Sequence, residues 1–152
     1  GGGGMSLALT IRPIGVGDKA AWRPLWTAYL EFYESSVADE VYDTTFERLC
    51  DGGHPDQCGL LAFDGERAVG LVHYIYHPHN WRIEKTCYLQ DLYADPSVRG
   101  QGVGRALIEA VYAAADAAGC PSVYWMTQEF NAEARKLYDR IATLTPFIKY
   151  QR

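Results

Sequence analysis

Residues Asp91–Arg105 read DLYADPSVRGQGVGR and hold the pattern that decides the fold. A strand-like run ends before Pro96, and three glycines then lead into a helical pattern. Glycine lets the backbone approach a ligand closely, and the first N–H groups of a helix have no partner within that helix. Because Arg99 and Arg105 add positive charge at the same place, the segment is predicted to bind a phosphate group.

Two common phosphate-binding loops do not fit this spacing. A P-loop requires G-x-x-x-x-G-K-[ST], and no Lys-Ser or Lys-Thr pair follows the glycines. A dinucleotide-binding loop requires G-x-G-x-x-G, whereas its third glycine position holds Arg105 when counted from Gly100 and Leu107 when counted from Gly102. A turn that only reverses the chain is the remaining alternative, and it leaves the paired arginines unexplained.

Length and composition predict one globular domain. The chain has 152 residues, of which 48% are hydrophobic, and Gly1–Gly4 ahead of Met5 are interpreted as an expression remnant, so that residues 5–152 form the domain. The formal net charge of -5, from 14 Lys and Arg against 19 Asp and Glu, argues against binding to nucleic acid or an anionic membrane. The four cysteines form no C-x-x-C pair, which favours free thiols and a cytoplasmic location.

Hydrophobic periodicity predicts an α/β fold of the α+β type, with a mixed, mostly antiparallel sheet flanked by about four helices. Asp64-Gly65 is the kind of pair that closes a tight hairpin, and Asp43 or Thr44 is expected to cap a short second helix. The predicted strands are residues 6–14, 58–63, 68–76, 84–94, 122–127 and 147–151, and the predicted helices are residues 18–35, a short helix ending at 50, 102–118 and 131–141.

The glycine loop also carries a family resemblance. Residues 99–104, RGQGVG, match the R/Q-x-x-G-x-G/A signature and resemble the GNAT superfamily of acetyl-CoA-dependent N-acetyltransferases. The longer segment CYLQDLYADPSVRGQGVGRALI, residues 87–108, is similar to spermidine/spermine acetyltransferases and to the Hpa-type histone acetyltransferases of yeast. Asn131-x-x-Ala134-x-x-x-Tyr138 resembles the later N-x-x-A-x-x-x-Y segment, and PFIKY at residues 146–150 is again Hpa-like. The resemblance covers nearly all of residues 6–152 and implies the GNAT fold.

The resemblance also implies site residues for acetyl-CoA. Asn131 would contact the pantetheine arm, and Tyr138 would be the general acid that protonates the departing thiolate. A tyrosine in the core of an amphipathic helix is the alternative interpretation of Tyr138. The strand end would pair with pantetheine and place the acetyl group through Leu92, Tyr93 and Ala94. The pyrophosphate would bind along the glycine loop at Arg99, Gly100, Gln101, Gly102, Val103, Gly104 and Arg105.

Acetyl transfer also needs a way to remove the amine proton, since an ammonium ion of pKa about 10 is almost fully protonated at neutral pH. Spermidine/spermine acetyltransferases carry a Glu where this sequence has Gln90, and Gln cannot accept a proton. Asp91, Glu34 and Glu129 remain as candidates, although alternation along a strand places Asp91 on the opposite face from Gln90. Of these, Asp91 and Glu34 are predicted to bind the acceptor, Glu34 because the family's first helices line the acceptor site.

Three histidines, His73, His77 and His79, suggest a metal site at first sight. His73 and His77 are four residues apart on a predicted strand, about 13 Å at the usual rise of ~3.3 Å per residue, which is too far to share one ion without a bend. No metal cofactor is therefore predicted, and the co-substrate that the resemblance implies is acetyl-CoA.

The sequence leaves the acceptor open among a polyamine, an amino acid and a protein lysine such as that of a histone tail. Alternatives to an acetyltransferase are a non-catalytic acyl-CoA-binding module and an acyltransferase that uses a larger acyl-CoA. A homodimer is expected, because the resemblance implies association and Phe147–Tyr150 offers an apolar edge strand. Five acidic residues are expected near the entrance for a cationic acceptor, namely Glu31, Glu34, Asp39, Glu40 and Asp43.

Overall fold

The computed structural model describes residues 7–152, so the predicted remnant Gly1–Gly4 and the first residue of the first predicted strand, Ser6, lie outside the described residues. Within that range, none of the helices is both long and apolar enough to cross a bilayer. The strands are β1 (Leu9–Pro13), β2 (Gln57–Asp64), β3 (Arg67–His77), β4 (Thr86–Ala94) and β5 (Val123–Tyr124). The helices are α1 (Lys19–Phe32), α2 (Asp39–Cys50), α3 (Val103–Ala117) and α4 (Ala132–Ile141), with a 3-10 turn at Pro96–Val98.

The strands form one mixed sheet in the order β1-β2-β3-β4-β5. Each neighbouring pair is antiparallel except β4 and β5, which are parallel because α3 connects them by a crossover. Gly65, with φ of 60°, supplies the left-handed residue of the predicted hairpin turn between β2 and β3. The predicted fold class, a mostly antiparallel sheet with four helices, is confirmed.

Helices cover both faces of the sheet and bury two apolar clusters. Helix α3 packs on one face through a stripe at helical spacing that includes Val103, Leu107 and Val111, all of them fully buried. Helices α1 and α2 pack on the other face, where Trp22 and Trp26 stack with their ring centroids 5.2 Å apart. The aromatic stripe of α1 therefore faces the sheet beside β3 and β4, where the candidate site lies.

Three local predictions are wrong. Helix α2 begins at Asp39 rather than after Asp43 or Thr44, since its N-cap is Ala38 and its first turn places two acidic residues where the helix dipole favours them. The strand predicted at residues 122–127 is two residues long, and Tyr124 within it is exposed. The strand predicted at residues 147–151 does not form, because a strand needs a neighbour to exchange backbone hydrogen bonds and β5 is too short to offer one.

Candidate active site

The glycine loop joins the end of β4 to the start of α3. Asp95 caps the 3-10 turn by accepting a hydrogen bond from the Ser97 N–H at 2.8 Å. Gly100 and Gly102 then adopt φ angles of 80° and 82°, a left-handed conformation that residues with a side chain rarely adopt. Gly102 is the N-cap of α3, so this backbone conformation sets the direction in which the helix begins.

Several N–H groups of this loop are available to a ligand. The Gln101 N–H donates to the Val98 carbonyl at 3.2 Å, and the first N–H bonded within α3 is that of Ala106, to Gly102 at 2.9 Å. The remaining N–H groups have no acceptor within residues 7–152, which is the arrangement that binds anions at a helix start. They belong to Gly100, Gly102, Val103, Gly104 and Arg105.

The two arginines of the loop differ in their contacts. The Arg105 Nε donates to Glu109 at 2.9 Å along α3, so its charge is already paired. Arg99 is exposed and forms no ion pair with any residue that the structure describes. Positive charge in the loop is therefore supplied mainly by Arg99 and by the N-terminal end of the helix dipole.

Strands β4 and β5 diverge next to this loop. Their parallel pairing covers only Cys87 with Val123 and Tyr88 with Tyr124. The rest of β4 pairs with β3 on one side and with no described strand on the other. Its open edge, residues 89–94, contains the predicted residues Leu92, Tyr93 and Ala94 and leads directly into the glycine loop.

A β-bulge interrupts β4 at Gln90. His73 of β3 is opposite Asp91 while Tyr74 is opposite Leu89, so Gln90 is an extra residue without a partner. The bulge breaks the alternation along the strand, and Gln90 and Asp91 both line one cleft.

The cleft has a volume of about 330 Å³ and lies between the helix pair α1 and α2 and the strands β3 and β4. Its walls are mostly apolar, with Asp91 as the one carboxylate and no Lys or Arg among the lining residues. The apolar walls are formed mainly by Trp26, Leu30, Val37, Val41, Leu49 and Ile75.

Asp91 belongs to a buried hydrogen-bond network that connects α1 to the sheet. Its Oδ2 is 2.8 Å from the His73 Nδ1 and accepts from the Trp26 Nε1 at 3.3 Å. The Trp22 Nε1 donates to the His73 Nε2 at 2.9 Å. Because an indole N–H only donates, the His73 Nε2 must be the acceptor, and the ring proton is on Nδ1, facing Asp91.

Three tyrosines lie near enough to Asp91 to feel its charge. Burial raises the pKa of Tyr29, Tyr33 and Tyr88, and the negative charge of Asp91 raises each pKa further. The Tyr29 hydroxyl donates to the Gln90 carbonyl across a long 3.4 Å distance. These phenols keep their protons at neutral pH, so the cleft holds a single anionic group among neutral aromatic rings.

Helix α4 carries the other two predicted residues. Asn131 is its N-cap, and the Asn131 Oδ1 accepts from the Ala134 N–H at 3.3 Å. Tyr138 lies in the second half of α4, and its ring contacts the Trp125 ring edge-on, with ring centroids 5.4 Å apart. Burial raises the pKa of Tyr138, and Tyr33 from the end of α1 raises it further. The N-x-x-A-x-x-x-Y spacing thus combines a helix cap with a phenol near the C-terminal end of α1.

Sequence comparison establishes the family of this chain. A family model described as Acetyltransferase (GNAT) family matches residues 22–142. The chain belongs to the GNAT acetyltransferase family. It is 40% identical over 146 residues, 95% of this chain and 90% of the relative, to the D-amino-acid N-acetyltransferase HPA3 of Saccharomyces cerevisiae. It is also 29% identical over 83 residues, 55% of this chain and 51% of the relative, to the thialysine N-epsilon-acetyltransferase of Caenorhabditis elegans.

The solved structures confirm the GNAT fold. The aminoglycoside N-acetyltransferase AAC(6')-Iy in complex with CoA superposes with a TM-score of 0.83, covering 98% of this chain and 97% of that chain at 18% identity. Family membership and fold together make this GNAT protein an enzyme, an acyltransferase, as the sequence resemblance implied.

The other predicted carboxylates of this acetyltransferase lie away from the cleft. Glu34 is exposed, has a φ of 55° and ends α1, where the Ser35 N–H donates to the Leu30 carbonyl at 2.9 Å. Glu129 is exposed, and its backbone carbonyl accepts from Arg135 at 2.7 Å. Neither side chain lines the cleft, so Asp91 is the one predicted carboxylate that the fold brings there.

The three histidines that suggested a metal site have separate partners, and His79 accepts from the Trp81 N–H at 3.1 Å. His73 lies between Trp22 and Asp91, while His77 contacts the Pro78 carbonyl and the Tyr124 hydroxyl, each at 2.8 Å. No group of three metal-ligating side chains is present in residues 7–152. The role of His73 could not be found from its spacing, because its partner is fixed by strand register.

Proposed function

We propose that this GNAT enzyme transfers the acetyl group of acetyl-CoA to the primary amine of a small acceptor. The observation that carries the proposal is the open edge of β4 at residues 89–94, which leads directly into the N–H groups at the start of α3. A ligand that has amide groups at one end and a pyrophosphate at the other matches this order of donors and acceptors. Coenzyme A has both.

In this proposal the strand edge and the loop bind the two parts of the donor. Leu92, Tyr93 and Ala94 exchange backbone hydrogen bonds with pantetheine. The pyrophosphate binds the free N–H groups between Gly100 and Arg105, with Arg99 nearby. Asn131 uses its Oδ1 as the helix cap, which leaves its Nδ2 to donate to the pantetheine arm.

The proposed reaction is direct attack. The amine nitrogen forms a bond to the thioester carbonyl carbon, and the bond from that carbon to sulfur breaks with its electron pair on sulfur. The acceptor ammonium first loses one proton to water, and the attacking nitrogen loses a second as the amide forms. Tyr138 donates its proton to the departing thiolate and regains one from water. The raised pKa of Tyr138 keeps the phenol protonated until the thiolate forms.

An amino acid is the acceptor class that the comparisons support best. The relative that is 40% identical over 95% of this chain is named a D-amino-acid N-acetyltransferase. The cleft offers one carboxylate for an ammonium group and apolar walls for a side chain. Gln90 cannot accept a proton as the glutamate of the spermidine/spermine acetyltransferases would, which argues against a polyamine as the acceptor.

We also propose that the enzyme is a cytoplasmic homodimer. Its four cysteines are free thiols, as a reducing compartment requires. Phe147, Ile148 and Tyr150 are largely exposed, and a second copy would cover them. Light scattering at several protein concentrations tests this arrangement, and a monomer at all of them would contradict it.

Free-thiol release from acetyl-CoA tests the function. A panel of D- and L-amino acids, polyamines and lysine peptides is compared for the wild type and Tyr138→Phe. We expect turnover with amino acids and a decrease in kcat of about 100-fold or more in the variant. Tight acetyl-CoA binding without thiol release would indicate a non-catalytic binding module, and competition with succinyl-CoA and propionyl-CoA tests the larger donors.

A further inference from the structure

We infer that Asp91 binds the acceptor ammonium group through its Oδ1 and that His73 is the positioning residue that holds this carboxylate in place. The inference rests on the proposed function, because it concerns the amine that the enzyme acetylates. It assigns a role to the buried pair of Trp22 and His73, which acetyl-CoA binding and acid catalysis do not use.

The two oxygens of Asp91 have different surroundings. Both N–H donors, from His73 and Trp26, converge on Oδ2. The Tyr29 hydroxyl lies within hydrogen-bonding reach of the Asp91 carboxylate. No donor in residues 7–152 forms a well-aligned hydrogen bond to Oδ1, yet no side-chain nitrogen or oxygen in this range is both buried and unpartnered. Oδ1 is therefore accessible from the cleft, although the Asp91 side chain as a whole is only 14% exposed. Oδ2 is therefore fixed by two N–H donors, whereas Oδ1 faces the cleft.

His73 holds Asp91 because its own orientation is fixed. Its side chain is 6% exposed and lies between a donor to Nε2 and an acceptor from Nδ1. The other neutral tautomer would bring two N–H groups together at Trp22 and leave Asp91 without this donor. Trp22 and Trp26 are four residues apart on one helix face, so a single rigid element supplies both indole N–H groups.

The charge of the cleft selects a cation. Asp91 is the one carboxylate among the lining residues, and no Lys or Arg lies with it. The titratable groups near Asp91 are His73 from β3, Tyr29 and Tyr33 from α1 and Tyr88 from β4, while Cys58 from β2 and Tyr74 from β3 also line the cleft. An ammonium group at Oδ1 completes the hydrogen bonding of the carboxylate, whereas an anion there would meet only repulsion.

Substitution of His73 separates this role from a purely structural one. His73→Leu removes the donor to Asp91, whereas His73→Asn keeps an N–H at the position of Nδ1. Both variants leave the Trp22 N–H without its acceptor, so their difference isolates the hydrogen bond to Asp91. Thr27→Val is the matched control, because it removes the 2.6 Å hydrogen bond to Tyr42 in the same core cluster without contacting Asp91.

Steady-state kinetics with acetyl-CoA and an amino acid acceptor supply the readout. We expect His73→Leu to raise the acceptor KM about 10- to 100-fold, the range for losing a hydrogen bond to a charged group, and to leave the acetyl-CoA KM within about twofold. His73→Asn should restore most of the acceptor affinity. An unchanged acceptor KM in His73→Leu, or an equal rise in Thr27→Val, would overturn the inference.

A second measurement does not depend on the variants folding. The ¹⁵N chemical shifts of His73 in the wild-type protein distinguish the two neutral tautomers from the imidazolium ion. We expect the tautomer with the proton on Nδ1 at neutral pH, and either other form would contradict the network. Thiol release separates the two levels of the proposal, since a wild type that is inactive with every amine contradicts the proposed function. Normal turnover with an unaltered KM in His73→Leu contradicts only this inference.

Discussion

Gly102 and Gly104 lie two residues apart at the start of α3, but their backbones differ. Gly102 has a φ of 82°, whereas Gly104 is an ordinary helical residue of α3. A Cβ atom on Gly102 would meet no other atom within 4 Å, and one on Gly104 would come no closer than 3.9 Å, to Leu137. Space therefore does not distinguish the two positions, and only backbone conformation does.

Alanine at these two positions should shift stability in opposite directions. Gly102→Ala places a Cβ in a left-handed conformation, which costs about 1–2 kcal/mol. Gly104→Ala removes a glycine from a helix, which stabilises it by about 0.5–1 kcal/mol. At about 2–4 °C per kcal/mol for a chain of this length, we expect the Tm to decrease by about 2–8 °C for Gly102→Ala and to increase by about 1–4 °C for Gly104→Ala.

The two alanine variants should also differ in their affinity for acetyl-CoA. Strain at Gly102 reorients the first N–H groups of α3, so Gly102→Ala should weaken acetyl-CoA binding in calorimetry. Gly104→Ala keeps the backbone, and the R/Q-x-x-G-x-G/A signature accepts Ala at this position. Thermal unfolding of both variants provides the decisive comparison. Shifts of the same sign, or a Gly102→Ala variant as stable as the wild type, would refute the reasoning from φ.

Three further predictions follow from single residues. Glu34→Gly should raise the free energy of unfolding by about 1 kcal/mol in thermal unfolding, because glycine tolerates the φ of 55°. The acceptor KM should be unchanged, and a rise in this KM would indicate that Glu34 binds the acceptor. Because burial raises the pKa of Tyr138, kcat should stay constant up to the usual phenol pKa of about 10 and decrease only at higher pH. The residual activity of Tyr138→Phe should lack this decrease in its pH profile. A hydrogen bond from Arg12 lowers the pKa of Asp18, so their ion pair stabilises the fold above about pH 4 and loses this effect as the pH falls through the folded pKa. Asp18→Asn should lower stability at pH 7 by up to about 1 kcal/mol in thermal unfolding, and the difference from the wild type should shrink as the pH is lowered below about 4.

The elements of the proposed acetyl-CoA site could be predicted from sequence because their signals are local. Glycines with a left-handed φ, a helix start and a strand before them are all encoded within residues 91–105, and the structure forms each of these elements there. The buried face of α1 is equally local, because Trp22, Leu25 and Trp26 are three and four residues apart, the spacing that places apolar side chains on one side of a helix.

The contacts of Asp91 with His73 and Trp26 could not be predicted, because they depend on register. His73 and Asp91 are 18 residues apart, and only the antiparallel pairing of β3 with β4 places them opposite each other. The bulge at Gln90 places Asp91 on the same face as His73, next to the cleft, and no residue type in that strand predicts a bulge. The failed strand at residues 147–151 has the same origin, since alternation marks a residue pattern but not the neighbour that the pattern needs.

In the proposed acceptor site, the position of one carboxylate matters more for selectivity than the net charge of the chain. Of the five acidic residues expected near the acceptor entrance, Asp39 pairs with Arg23 at 2.7 Å and Asp43 pairs with Lys19. Both pairs are exposed, so solvent and salt screen them. Asp91 is nearly buried, has two N–H donors on one oxygen and is the single carboxylate of the cleft. A GNAT chain of different net charge should therefore favour the same kind of acceptor, provided that it keeps this bulge and this histidine.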